Sequence, residues 1–256
     1  MLYHSGDRRT HAHNIRLASM LCLTAGFVNV GGFISFNVLT TNVTGHVALF
    51  ADKLSQRNFD SARVVGFWML MFLLGAFFSG LWLNKVGKNR RYAYTVPILA
   101  EAAILLLVAH FGKDFEKASL VQTEIFAGSL LFAMGLQNAL VSVISGSVVR
   151  TTHLTGMFTD LAIDLSRLII PDKESRQTLR PKIILKLVII SFFFLGGILG
   201  GYLYESLQFH IFLIPAGILF LVMFYDLFRI RTIKMIRRVK RDMGNKFKST
   251  LISKNL

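Results

Sequence analysis

Six apolar runs of about 20 residues each dominate this chain: Leu17 to Phe36, Val64 to Leu83, Tyr92 to Phe111, Thr123 to Ile144, Ile183 to Tyr204 and Phe209 to Phe228. A bilayer core of about 30 Å takes about 20 apolar residues of helix to cross, and helices satisfy their own backbone hydrogen bonds in hydrocarbon. The expected fold class is an all-α integral membrane protein. At 53% hydrophobic and 17% charged residues, with a mean hydropathy of +0.53, the composition is too apolar for a soluble domain of 256 residues. The net charge of +15 does not point to nucleic acid, because the cations lie in short breaks between apolar runs and in the tail. Cys22 is the only cysteine and sits within the first run, which excludes a disulfide framework and a thiolate metal site. The basic start, MLYHSGDRRTHAHNIR, leads into no small-residue cleavage site, so the first run is expected to be an uncleaved span.

One polar stretch is written twice. TTNVTGHVALFADKLS (Thr40 to Ser55) returns as TTHLTGMFTDLAIDLS (Thr151 to Ser166), with seven of sixteen positions identical. Both copies are amphipathic, and about 15 residues at 1.5 Å each give roughly 22 Å, short for a crossing. Matching features flank them in the same order. Gly26 and Asn29 in GFVN match Gly135 and Asn138 in GLQN, FLLGAFFSG (72–80) matches FFLGGILGG (193–201), and Pro97 matches Pro215. The expected division is a tail over 1–14, a first membrane repeat over 15–115, a second over 116–232 and a basic tail over 233–256. Each repeat holds a long helix, a short polar segment and two more long helices.

Loop charge sets the expected orientation, since cytoplasmic loops carry the Lys/Arg excess. With six spans and two short segments that do not cross, Lys85, Lys88, Arg90 and Arg91 fall inside. So do Lys173, Arg176, Arg180 and Lys182, the tail from Arg229, and an N-terminus bearing Arg8, Arg9 and Arg16. If the short segments cross, the Lys85 to Arg91 loop is forced outside. The positive-inside rule favours six spans; Lys53, Arg57 and Arg63 count against them. Three crossings per half would invert the second half relative to the first, as in many secondary transporters.

In that arrangement the twin segments become broken or re-entrant helices whose N-termini present unpaired N–H groups and positive dipole ends. Polar backbone at this depth must face protein or water. Thr40, Thr41 and Thr44, with Thr151, Thr152 and Thr155, offer hydroxyls to cap helix starts or bind solute. Gly45 and Gly156 allow close approach.

These motifs carry a resemblance. The Gly-x-x-Asn with its Thr-Gly segment, then GLQNA and VRTTHLTG, are similar to the YoaK-like family of bacterial integral membrane proteins, a domain family of unknown function. The similarity spans about residues 15 to 230. Val149, Thr151, Thr152, Thr155 and Gly156 match the second family motif, while His46 stands where the first usually has Asn. The resemblance implies a multi-pass protein of the bacterial inner membrane and no established substrate.

Other residues have two readings each. Glu101, ten residues into a predicted span, is a candidate proton or cation site because an intramembrane carboxyl is costly; otherwise it pairs with Thr, His or Lys at a packing face. Asp160 and Asp164 share a helical face and could take a cation, or Asp164 is solvated near Arg167. His46 and His153 are proton-switch or structural histidines. Arg150 could meet an anionic solute or pair with Asp160. Asn29, Gln137 and Asn138 bind solute or bond across helices. Gly75, Gly80, Gly196 and Gly201 are read as packing positions. The cationic tail is expected at anionic headgroups.

No nucleophile elbow, zinc pair, phosphate loop or redox cysteine pair is present, so neither an enzyme nor a cofactor is expected. The expected function is secondary transport of a small polar or anionic solute bound between the two TT-x-x-TG segments. A channel, or a scaffold or assembly factor, is the alternative, and an oligomer is compatible with either.

Overall fold

The computed structural model describes residues 10–87, 93–112, 120–169 and 173–225. Outside them lie Arg8 and Arg9, the cations Lys88, Arg90 and Arg91, residues 113–119, and the tail from Arg229. The described residues are helical throughout: α1 (His11–Phe36), α2 (Val43–Ser55), α3 (Phe59–Val86), α4 (Thr95–Phe111), α5 (Leu120–Ser145), α6 (Leu154–Ile169), α7 (Lys173–Leu207) and α8 over 213–225. Four stretches are long and apolar enough to cross a membrane: His11–Phe36, Phe59–Val86, Glu124–Ser145 and Arg176–Tyr225. The last contains the 3-10 turn Gln208–Phe212, so the expected helical run from Phe209 begins four residues late, at 213. The run expected from Tyr92 becomes helical only at Thr95.

Asparagines punctuate the first half. Asn37 ends α1 in the left-handed region (φ 57°), its N–H bonding to Phe33 O at 2.8 Å. Asn42 caps α2 by accepting from Gly45 N at 3.0 Å, and Asn58 caps α3 by accepting from Ser61 N at 3.1 Å. A short polar side chain that competes with the backbone suits these ends.

Helix directions follow from contacts. Gln137 Nε2 donates to Leu21 O at 3.0 Å, while a Cβ on Gly32 would lie 3.4 Å from Leu130. Partners thus fall along α5 as they rise along α1, so the two helices are antiparallel. Trp68 Nε1 donates to Glu124 O at 3.3 Å, and Gly75 packs on Phe132, so α3 runs parallel to α5. Gly196 packs on Leu23, and Gly201 lies against Val30 and Ile34, so α7 runs parallel to α1. Arg16 bonds Tyr225 (3.3 Å) and Gly31 meets Ile211 and Phe212, so α8 runs against α1. The reversal between α7 and α8 falls at Gln208, where φ is 49°.

The closest approaches come in a matched set. A Cβ on Gly26 would strike the Phe193 carbonyl and one on Gly135 the Phe72 carbonyl; one on Gly75 would strike the Phe132 carbonyl and one on Gly196 the Leu23 carbonyl. Each position corresponds to its counterpart in the duplicated sequence. Small residues let backbones approach where hydrocarbon supplies no hydrophobic drive for association. Gly80 departs from the expected packing role: nothing lies within 4 Å of its Cβ position. Pro97 and Pro215 each stand third in their helices, in a first turn whose N–H groups have no intrahelical partner.

Candidate functional site

Between α1 and α2 the chain turns back into the protein. Thr40 packs its methyl against Gly32, and Thr41 N donates to Asn29 Oδ1 at 3.1 Å. Asn29 lies seven residues before the end of α1, about 10 Å along its axis. From that depth α2 returns along α3: His46 meets Trp68 edge-on at 5.8 Å and Phe50 covers Gly66. The helix therefore starts in the interior and ends at the turn over 56–58. On the other side α6 does the same against α7, Asp164 pairing with Lys186 at 2.7 Å and Leu168 O with Arg176 at 3.5 Å.

The two helix starts face one cavity. Its volume is about 530 Å³, and it is lined by Thr41, Asn42, Val43 and Thr44 from the first break and by Thr152, His153, Leu154, Thr155 and Gly156 from the second, with Phe72, Asn138, Thr159 and Asp160 completing the wall. The cap residues overlie the glycines: a Cβ on Gly45 would crowd Asn42, and one on Gly156 the ring of His153. His153 O accepts the first intrahelical bond, from Met157 N at 3.1 Å. The caps are thus Asn42 and His153, in place of the threonines expected from the sequence.

Of the residues singled out in the sequence, Thr41, Thr44, Asn138, Thr152, His153, Thr155, Gly156 and Asp160 meet at this cavity. The others stand elsewhere. Thr40 and Thr151 are fully buried, and among the described residues their hydroxyls have no hydrogen-bond partners; the Gln137 Oε1 and Asn138 Oδ1 atoms are likewise buried and unpartnered there. Asn29 holds the Thr41 backbone. His46 and Gly45 border a separate space of about 180 Å³, where His46 Nδ1 lies 2.7 Å from Asn42 O. Glu101 is buried in α4, with neither carboxyl oxygen hydrogen-bonded among the described residues. Arg150 is exposed and makes no ion pair among the described residues. A larger cavity of about 610 Å³, lined by Lys53, Asp60, Arg63, Trp68 and Glu124 among others, holds none of the candidate residues.

Sequence reasoning missed Asn42, Phe72, Thr159 and Lys186. Asn42 stands three residues before Gly45 at the start of an amphipathic stretch, a legible cap signal. Lys186 had no local signal, because its partner is 22 residues away. Asp164, expected near Arg167 in solvent, is only 7% exposed at its side chain and bonds Lys186, which also donates to Asp160 O at 3.0 Å; Arg167 is 3.9 Å away.

The family described as "Protein of unknown function (DUF1275)" matches residues 17–225, a stretch that runs from within α1 to the end of α8 and holds both breaks. The chain belongs to this family. A relative, the "UPF0700 transmembrane protein YoaK" of Bacillus subtilis (strain 168), is 31% identical over 186 residues, 70% of this chain and 79% of that one. No solved structure matches. Similarity to a transmembrane protein and the apolar helices together support an integral, α-helical membrane protein.

Proposed function

We propose that this protein is a secondary transporter of a small polar or anionic solute, with no enzymatic activity of its own, in the bacterial cytoplasmic membrane. Solute binds between the two TT-x-x-TG segments. The observation that carries this is the cavity itself, bordered by the starts of two half-helices drawn from separate parts of the chain.

The helix directions support six spans arranged as two inverted repeats. Trp82, near the end of α3, donates to Ala93 O at 2.8 Å just before α4, and Gly112 just after α4 packs on Phe209, so α4 runs back against α3. With α1, α4 and α7 running one way and α3, α5 and α8 the other, the ends near Arg16, Lys85, Arg176, Arg180 and Lys182 share a side, which the positive-inside rule makes cytoplasmic. Lys53, Arg57 and Arg63 then lie opposite, with Asp52 and Asp60 beside them; Lys53 pairs with Asp52 at 3.3 Å, which weakens their count against this topology. The cationic tail adds attraction to anionic headgroups.

Solute counterflow in proteoliposomes tests the assignment. Removing one hydrogen bond to a solute costs about 0.5 to 3 kcal/mol depending on charge. Thr44→Val and Thr155→Val should therefore each weaken half-saturation about threefold to a hundredfold, and the double variant should be non-additive. Wild-type counterflow in both single variants, with only thermal stability lowered, would reduce the threonines to structural residues.

A further inference from the structure

We infer that the solute is a zwitterion of the α-amino-acid kind, its carboxylate held by the two helix starts and its ammonium by Asp160. This rests on the transport site proposed above and narrows its substrate class.

Charge inventory separates the possibilities. Among the described residues no lysine or arginine lines the cavity, and Asp160 is the one carboxylate that does. Asp160 enters no ion pair among the described residues, because Lys186, which reaches its backbone oxygen, is engaged by Asp164. The starts of α2 and α6, each equivalent to about half a positive charge, border the same cavity. Two halves balance one carboxylate. A lone anion would sit against Asp160 uncompensated, and a lone cation would face two positive dipole ends; a solute carrying both charges meets a complement for each.

The polar lining shows that the helix starts face a binding space. Thr41 is only 9% exposed, lines the cavity, and its hydroxyl enters no hydrogen bond among the described residues, its backbone N–H being the group that bonds Asn29. Asn138, from a different helix, lines the same cavity, and its Oδ1 has no hydrogen-bond partner among the described residues. Buried polar atoms are normally paired, and a solute ammonium or hydroxyl supplies what these acceptors lack. Phe72 and Leu154 offer apolar surface for a small side chain.

The test is thermal stabilisation of the full-length protein in detergent by each common L-α-amino acid, followed by titration of the strongest stabiliser. Its desamino acid and its decarboxylated amine are run beside it. At least one amino acid should raise the Tm, with both single-charge analogues at least tenfold weaker. Asp160→Asn should weaken the zwitterion about ten- to a hundredfold, as expected for a lost charged hydrogen bond, while the desamino acid binds as well as before or better. No shift with any amino acid, equal binding of the desamino acid by the wild type, or an unchanged affinity in Asp160→Asn would each overturn the proposal. Asp52→Asn, which removes a carboxylate that does not line the cavity, controls for a general effect of lost charge: an equal loss there would also overturn it. Amino-acid binding without counterflow would keep the zwitterion site and remove transport. Counterflow of an inorganic anion without amino-acid binding would do the reverse.

Discussion

Two buried carboxyl groups in this protein are treated in opposite ways. Asp164 has Lys186 at 2.7 Å, so its charge is met inside the protein. Glu101 is fully enclosed in α4 and neither of its oxygens is hydrogen-bonded among the described residues. A carboxylate left so would carry several kcal/mol of uncompensated desolvation. Glu101→Gln keeps the shape and removes the proton. If Glu101 couples transport to protons, the variant should lose pH-driven uptake in proteoliposomes while solute exchange and Tm stay near wild type. A large fall in Tm with loss of both activities would make Glu101 a packing residue. Asn42 and His153 show a third use of polar side chains: each folds over the glycine three residues ahead and shapes the start of a half-helix.

Among elements, the decisive contacts are backbone against backbone. Gly75 and Gly196 sit where a methyl group would strike a carbonyl of the neighbouring helix, whereas Gly80 has open space around it. Gly75→Ala and Gly196→Ala should each lower Tm, because the α3/α5 and α1/α7 pairs would have to separate. Gly80→Ala should be neutral or gain up to about 1 kcal/mol from helix propensity. Thermal unfolding in one detergent compares all three, and equal effects would remove the close-packing argument. The small-residue pattern was legible in FLLGAFFSG and FFLGGILGG, but the pattern alone assigned Gly80 the same role as Gly75. Only the rotation of α3 about its axis distinguishes them.

For the whole molecule the testable quantity is which ends share a side. In a Cys22→Ser background, single cysteines at positions 88 and 175 should be protected from an impermeant reagent applied outside, and one at position 115 should be labelled. Labelling at 88 from outside would require α2 to cross, and would end the inverted arrangement along with the placement of both half-helix starts at one depth.

What the sequence alone determined is local in origin. Run length against bilayer thickness sets the helical membrane class, and the TT-x-x-TG text and its flanking glycines mark where helices break and where they can touch. These follow from residues within one or two turns of each other. Tertiary structure decided what depends on distant partners: that α1 lies on α7 and α3 on α5, that Thr41 faces the cavity while Thr40 is buried behind it, and that His46 turns to Trp68 while His153 stays at the cavity wall. The physical reason is that a helix places successive side chains about 100° apart. Neighbours with the same chemistry thus point to different places, and only the packing of the other helices determines which of them meets open space.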